Sequence, residues 1–321
     1  MARKSPTSEA LIRPSVLITK PLTESCVAAL EAHFNVLSIL GAADPAATMT
    51  GNADVIRAIA GGKVSAAMME KLPKLEIIAN SGVGVDTIDM AAARARRIVV
   101  TNTPGVLNDA VAELAVALML GLARSVPQAD RHVRDGKWTA AGTFPLGTEL
   151  RGKRAGIFGL GRIGKEIAAR LQAMKMDVAY CGRSRQDDQP YAYVADLEEL
   201  ARQSDWLILA APGGKATEKI VSAAVLEALG PDGYLVNVAR GSLVDQDALV
   251  AALECKTIGG AALDVFASEP EVPAALKAMD NVVLMPHQGG RTREAREAVD
   301  MMVFDNLLAH FEGRPLLSPV P

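Results

Sequence analysis

The chain has 321 residues, long enough for two ordinary domains. Half of its residues are hydrophobic and 22% are charged, a balance that excludes a largely disordered polypeptide. With 34 basic against 37 acidic residues, a net charge of −3 and 4% aromatics, a nucleic-acid-binding surface is not expected.

Met1 to Pro14 carries basic residues with no apolar core behind them, so it does not read as a secretory signal. Short β-branched runs then alternate with helical stretches, the pattern of βαβ units around a mostly parallel sheet. In the first third, Ser15–Thr19, Asn35–Ile39, Leu75–Ala79 and Ile98–Thr101 read as strands, and Thr23–His33 as a helix that Thr23 caps. Leu107–Leu122 is too long for a strand and apolar nearly all round, which predicts a helix buried on both sides, against a second domain or a partner subunit. The longest apolar run, Ala110 to Ala123, is too short to span a bilayer and contains Glu113, so no membrane segment is expected.

A looser segment, Arg124 to Arg151, follows, and the alternation restarts. Arg154–Phe158 and Asp177–Cys181 read as strands flanking a helix over Gly161–Met174; later strands are Trp206–Ala210, Gly233–Val238, Thr257–Ala262 and Val282–Met285, before a final helix from Thr292 to Phe311. The restart predicts two α/β units. Cys26, Cys181 and Cys255 are an odd set with no C-x-x-C spacing, which offers neither a disulfide framework nor a zinc ribbon and predicts a reducing, cytoplasmic setting. No set of side chains has metal-ligand spacing.

The clearest motif is Gly159-Leu160-Gly161-Arg162-Ile163-Gly164. Alone, G-x-G-x-x-G is weak. Here it follows a predicted strand and opens a helix with Ile163, Ile167, Leu171 and Met174 on one face. Gly159 permits the tight turn, Gly161 lets a pyrophosphate approach the backbone, and Gly164 allows helix–strand packing, with the first helical amides facing the phosphates.

About 20 residues beyond the glycines, an NAD site places an acid on the ribose 2′-hydroxyl. This chain has Arg183-Ser184-Arg185 instead. Guanidinium groups match a 2′-phosphate, which favours NADP(H) over NAD(H). A solvated basic loop would read the same way.

Reduction of a ketone needs a proton donor and, for a carboxylate substrate, a cation. Of four histidines, His33, His132 and His310 read as surface or capping residues. His287, in Met285-Pro286-His287-Gln288-Gly289-Gly290, lies just past a predicted strand, where open α/β sheets bind ligands. Arg240 also ends a strand, and Glu269 lies in the loop after Thr257–Ala262. Each alone reads as an ordinary loop residue; three of them at three strand ends favour a site.

Six segments together carry a resemblance: Asn80-Ser81-Gly82-Val83-Gly84-Val85-Asp86, Thr101-Asn102-Thr103-Pro104-Gly105, the glycine motif, Asn237-Val238-Ala239-Arg240-Gly241, Asp264-Val265-Phe266 with Glu269-Pro270, and Pro286-His287. Over nearly its whole length the chain resembles the D-isomer-specific 2-hydroxyacid dehydrogenases, in particular the NADPH-dependent glyoxylate/hydroxypyruvate reductase branch. The resemblance implies an α/β protein of two Rossmann-like domains with parallel sheets, the nucleotide-binding domain (104–291) inserted into a flavodoxin-like substrate domain (1–103, completed by a C-terminal helix within 292–321). It also implies a homodimer.

By matching position, His287 would be the general acid of reduction and the base of the reverse reaction. Glu269 would pair with it, because a nearby carboxylate favours the imidazolium. Arg240 would hold the carboxylate of a small 2-oxo acid and polarise its carbonyl. The amides around Val83 and Gly84 would hold the same carboxylate, in a site completed by domain closure. Asp264 and the Val238 carbonyl would contact the nicotinamide carboxamide, Ala211-Pro212 would wall the adenosine half, and Ala239 and Gly289 would also contact the cofactor. Arg291 stands where the family usually has a small residue, and Trp138 lies in a stretch that approaches a neighbouring subunit in related reductases. A reductase of a bulkier aryl 2-oxo acid and a dinucleotide-sensing corepressor are the competing readings; formate dehydrogenation is disfavoured because that relative has Gln where Glu269 stands.

Overall fold

The computed structural model describes residues 13–139 and 142–321. The chain divides into two compact units, one ending at Val106 and resuming with Arg296–Pro321, the other spanning Leu107–Ala295. Each unit is a parallel sheet with helices on both faces.

The first unit holds five strands: β1 (Ser15–Ile18), β2 (Asn35–Ser38), β3 (Ile56–Gly61), β4 (Ile77–Asn80) and β5 (Val99–Thr101). They pair in parallel in the order β2-β1-β3-β4-β5, the flavodoxin-like winding. Alternation along the strands divides the core. Leu17, Ile59 and Ile78 face Met69 and Leu72 on one side. Val16, Ala58, Ala60, Ile77 and Ala79 pack on the other with Leu30 and with Val303, Phe304 and Leu307 of the last helix, Arg293–Phe311.

The second unit holds β6 (Arg154–Phe158), β7 (Asp177–Cys181), β8 (Ala192–Tyr193), β9 (Trp206–Leu209), β10 (Tyr234–Asn237), β11 (Gly260–Leu263) and β12 (Val282–Leu284), in the order β12-β11-β10-β9-β6-β7-β8. All pairs are parallel. The order reverses between β6 and β9, so the carboxyl end of β6 lies at a topological switch point, where doubly wound sheets bind ligands. Strands buried on both faces are almost wholly apolar, as covered parallel sheets require.

Several expectations change. The central strand β3 was not predicted: Arg57, Ala58 and Ala60 dilute its β-branched signal, yet its last four residues are buried. The strand expected at Thr257–Ala262 starts only at Gly260, because Thr257 still closes the preceding helix through its amide to Ala252 O. Within the segment read as loose, Val126–Arg134 is helical. Helix Asn108–Ala123 buries eight residues, and Glu113, Ala117 and Leu120 are exposed in the single chain. Thr23 stands at the N-cap of helix Glu24–His33 without a side-chain cap bond; its amide instead donates to Asp300 Oδ2 at 2.8 Å. Among the described residues, no single helix is long and apolar enough to cross a membrane.

Candidate active site

The glycine turn sits at the end of β6, where three glycines meet three different demands. Gly159 has φ +100°, and a Cβ there would lie 2.5 Å from Ala211 N. A Cβ on Gly164 would lie 2.2 Å from Gly159 O, so the helix start is pressed onto the turn. Around Gly161 nothing lies within 4 Å of a built Cβ. Gly161 is also the N-cap of helix Arg162–Ala173, and no side chain caps it. Open space over an uncapped helix start fits the pyrophosphate of a dinucleotide. Leu160 is buried beneath the turn, Arg162 is exposed on it, and Ile163 packs against the core.

Arg183, Ser184 and Arg185 follow β7 and are all exposed. Arg185 Nε pairs with Asp187 Oδ1 at 2.9 Å. The loop is anchored from behind: Gln186 donates through Nε2 to Leu160 O at 2.8 Å and through its amide to Tyr180 Oη at 2.6 Å, while Tyr193 Oη donates to Gly182 O at 3.3 Å. Gln186 thereby ties the arginine loop to the glycine turn, a role that no motif announces.

Arg240, Glu269 and His287 follow β10, β11 and β12, three adjacent strands. The ladder continues past the strand ends, with Asp264 N–H donating to Asn237 O and His287 N–H to Asp264 O, both at 2.9 Å. His287 Nδ1 meets Glu269 Oε2 at 2.7 Å, and the other oxygen of Glu269 accepts from Phe266 N–H at 3.2 Å. His287 adopts φ +53°, a conformation costing a side-chain-bearing residue about 1–3 kcal/mol. Backbone and carboxylate bonds hold it there.

Asp264 is 1% exposed, and burial pushes its carboxyl above the ordinary range against two bonds that favour the charge. Those bonds come from the amides of Gln288 (2.6 Å, to Oδ1) and Gly289 (2.8 Å, to Oδ2). Both its oxygens thus fix the His287 loop. Asn237 does the same for Arg240, accepting from Ala239 N–H at 3.0 Å and donating to Arg240 O at 2.9 Å. Gly241 lets this loop touch the next: its Cβ would fall 1.9 Å from Phe266 C. Val238, Ala239, Ala211 and Gly289 are buried at these strand ends, while Pro212 is exposed.

In the first unit, the turn after β4 is held by side chains. Asn80 Nδ2 donates to both Gly82 O and Gly84 O at 2.9 Å, and Asn102 Nδ2 donates to Val83 O at 2.8 Å. Three successive carbonyls are thus taken up, and no partner for the Val83 or Gly84 N–H is found among the described residues.

The other histidines have structural surroundings. His33 Nδ1 lies 3.0 Å from Ala29 O, and His310 Nε2 lies 3.3 Å from Glu76 Oε2. His132, expected at the surface or in a cap, packs edge-on against Phe144 with its Nε2 buried. Arg291 and Trp138 are exposed. Among the described residues, no three His, Cys, Asp or Glu side chains are grouped so as to hold a metal.

A doubly wound sheet with a glycine turn at its switch point, and a His–Glu pair at neighbouring strand ends, defines an NAD(P)-dependent dehydrogenase. More particularly, the chain belongs to the D-isomer specific 2-hydroxyacid dehydrogenases, whose NAD binding domain matches residues 116–289. It is 42% identical over 308 residues to a glyoxylate/hydroxypyruvate reductase of Arabidopsis thaliana, covering 95% of this chain and 98% of that one. A hydroxyphenylpyruvate reductase of Plectranthus scutellarioides is 44% identical over 271 residues, 84% of this chain and 86% of that one. Among solved structures, an NADPH-dependent glyoxylate/hydroxypyruvate reductase of Sinorhizobium meliloti, in complex with NADP and malonate, superposes with a TM-score of 0.91 at 44% identity, covering 96% of this chain and 97% of that one.

Proposed function

We propose that this protein reduces a small 2-oxo acid, glyoxylate or hydroxypyruvate, to the D-2-hydroxy acid with NADPH. The observation that carries the reading is the 2.7 Å contact between His287 Nδ1 and Glu269 Oε2 at the ends of adjacent strands. It commits one ring nitrogen to the carboxylate and leaves Nε2 to exchange a proton with substrate.

NADPH, when bound, supplies the hydride. As the carbonyl oxygen gains charge, His287 donates the proton on Nε2 to it, and Glu269 keeps the ring oriented by accepting from Nδ1. Arg240 holds the carboxylate and stabilises the charge developing on the neighbouring oxygen. In the first unit, the Val83 and Gly84 amides, which have no partner among the described residues, are suited to take an anion such as a carboxylate. In the oxidative direction His287 accepts the hydroxyl proton. Gly159, Gly161 and Gly164 would hold the dinucleotide's phosphates, Ala211 and Pro212 its adenosine half, and Asp264 and Val238 its nicotinamide carboxamide, with Ala239 and Gly289 as further cofactor contacts.

Selection of NADPH rests on Arg183, Ser184 and Arg185, which stand exposed where an NAD site has an acid. The NADPH-dependent relative of known structure supports that assignment. We also propose a homodimer. Trp138 is 71% and Leu146 100% exposed, and Val126 and Val133 stand more than half exposed nearby in sequence, an apolar stretch suited to cover by a second copy. Three free cysteines fit a reducing compartment.

The experiment is a 340 nm assay of NADPH and NADH against glyoxylate, hydroxypyruvate and hydroxyphenylpyruvate. NADPH oxidation with a small acid is the expected result. Turnover confined to the aromatic acid would favour the second reading, to which the hydroxyphenylpyruvate reductase relative points. Tight dinucleotide binding without turnover of any of the three would overturn the proposal.

A further inference from the structure

The turn that presents the Val83 and Gly84 amides is braced by residues from the far end of the chain. Asp300, on the last helix, is fully buried. Its Oδ1 accepts from Ser81 Oγ at 3.1 Å, and its Oδ2 accepts from Thr23 N–H and Arg296 Nε, both at 2.8 Å. Arg296 also donates to Pro21 O. Ser81 begins the turn and is fixed twice more, through its amide to Gly61 O at 2.7 Å and its carbonyl to Lys20 Nζ at 2.9 Å.

A second line of bonds reaches the other side of the turn. Asn306, six residues beyond Asp300 on the same helix and fully buried, donates through Nδ2 to Ser318 Oγ at 3.0 Å. Its Oδ1 accepts from the amides of Leu317 and Ser318 at 3.1 and 3.3 Å. Ser318 Oγ donates to Asn102 O at 2.5 Å, and the Asn102 amide donates to Ser318 O at 3.2 Å. The Asn102 side chain then holds Val83 O.

From these two lines we infer that Asp300 and Asn306 are positioning residues for substrate carboxylate binding, acting through Ser81 and through Ser318–Asn102. The last helix therefore does more than complete a core. A buried carboxylate ringed by three donors is costly unless its geometry is kept, and here that geometry includes the first residue of the turn. The two lines approach the turn from opposite ends, so the backbone between Ser81 and Gly84 is fixed relative to the helix. Amides that must point at an anion gain from such preorganisation, since no reorganisation is then needed on binding.

The inference rests on the reading that the Val83 and Gly84 amides receive the carboxylate, and the two can fail separately. Ser81→Ala and Ser318→Ala each remove one hydroxyl from a line. Each should raise KM for glyoxylate about three- to tenfold, with a smaller change in kcat and an unchanged Kd for NADPH measured by fluorescence. Val83→Pro deletes one of the two amide donors and should raise KM more than either. If Val83→Pro raises KM while both serine variants keep the wild-type value, the bracing inference is overturned and the amide reading stands. If Val83→Pro leaves KM unmoved, the amide reading fails and takes the inference with it. Should Val83→Pro not fold, the methyl ester of the same acid replaces it, and an ester KM equal to that of the acid overturns the amide reading. Serine variants that lose kcat, KM and NADPH affinity together show only general loosening and also overturn the inference.

Discussion

The two units bring groups to their strand ends by opposite means. In the second unit the groups proposed to work are side chains: His287, Glu269 and Arg240 follow three adjacent strands, and there is open space at Gly161. In the first unit the groups proposed to work are backbone amides, and the polar side chains of Asn80 and Asn102 serve only to aim them. A histidine is chemically singular, so its position can be read directly. Every residue but proline has an amide N–H, so what distinguishes Val83 and Gly84 is the scaffold around them.

The contrast can be broken at its strongest point by His287→Ala, which should lower kcat about a hundred- to ten-thousandfold while NADPH still binds. Near-normal turnover would remove the side-chain half of the comparison. The glycines offer an internal control. Gly164→Ala forces a Cβ to within 2.2 Å of Gly159 O and should cost about 1–3 kcal/mol of stability in denaturant titration. Gly161→Ala meets no protein atom within 4 Å; it should melt like the wild type yet lose dinucleotide affinity, and intact affinity would show that the open space is not the phosphate site.

Cofactor choice comes next. Replacing Arg183 and Arg185 together by alanine should weaken NADPH about tenfold or more, with little change for NADH; equal losses would end the assignment to the 2′-phosphate. In the first unit, Asn80→Ala unties two carbonyls at once and should raise KM for the oxo acid about tenfold, read against an unchanged NADPH Kd. An unmoved KM would mean the turn holds its shape without that side chain.

The smallest effect lies away from the site. Burial alone would raise the Glu76 carboxyl, yet bonds from Arg57 and His310 hold it below the ordinary carboxylate range. A depressed carboxyl stabilises the fold above its unfolded-state pKa, and that contribution is lost as pH falls through the lower folded value. Glu76→Gln should therefore melt slightly below the wild type at neutral pH, and the gap should close in acid. A gap constant with pH would show that the charge is not what matters.

How much of this could be read from residues alone follows the same division. Apolar strands, the glycine turn and the strand-end position of His287 were legible because composition or chemistry marks them. β3 escaped, since alanines and an arginine hid a central strand whose partners lie on either side of it. The arginine loop was visible, but Gln186 was not, because its two bonds run to a backbone carbonyl and a tyrosine hydroxyl that sequence cannot place. Asn80, Asn102 and Asn237 stood inside recognisable motifs with no role attached. Asp300 lies 219 residues from Ser81, a separation over which no local pattern operates.

The return of the chain to its first unit also sets a timetable. Synthesis runs from the N-terminus, at about 5–20 residues per second, so all of Leu107–Ala295 is made before most of the last helix exists. The second unit draws its core from its own residues, while one face of the first sheet, with Val16, Ile77 and Ala79, needs Val303, Phe304 and Leu307. A chain truncated after residue 295 should therefore carry a protease-resistant second unit and a digestible first one. The part of the protein translated first is the part that must finish last.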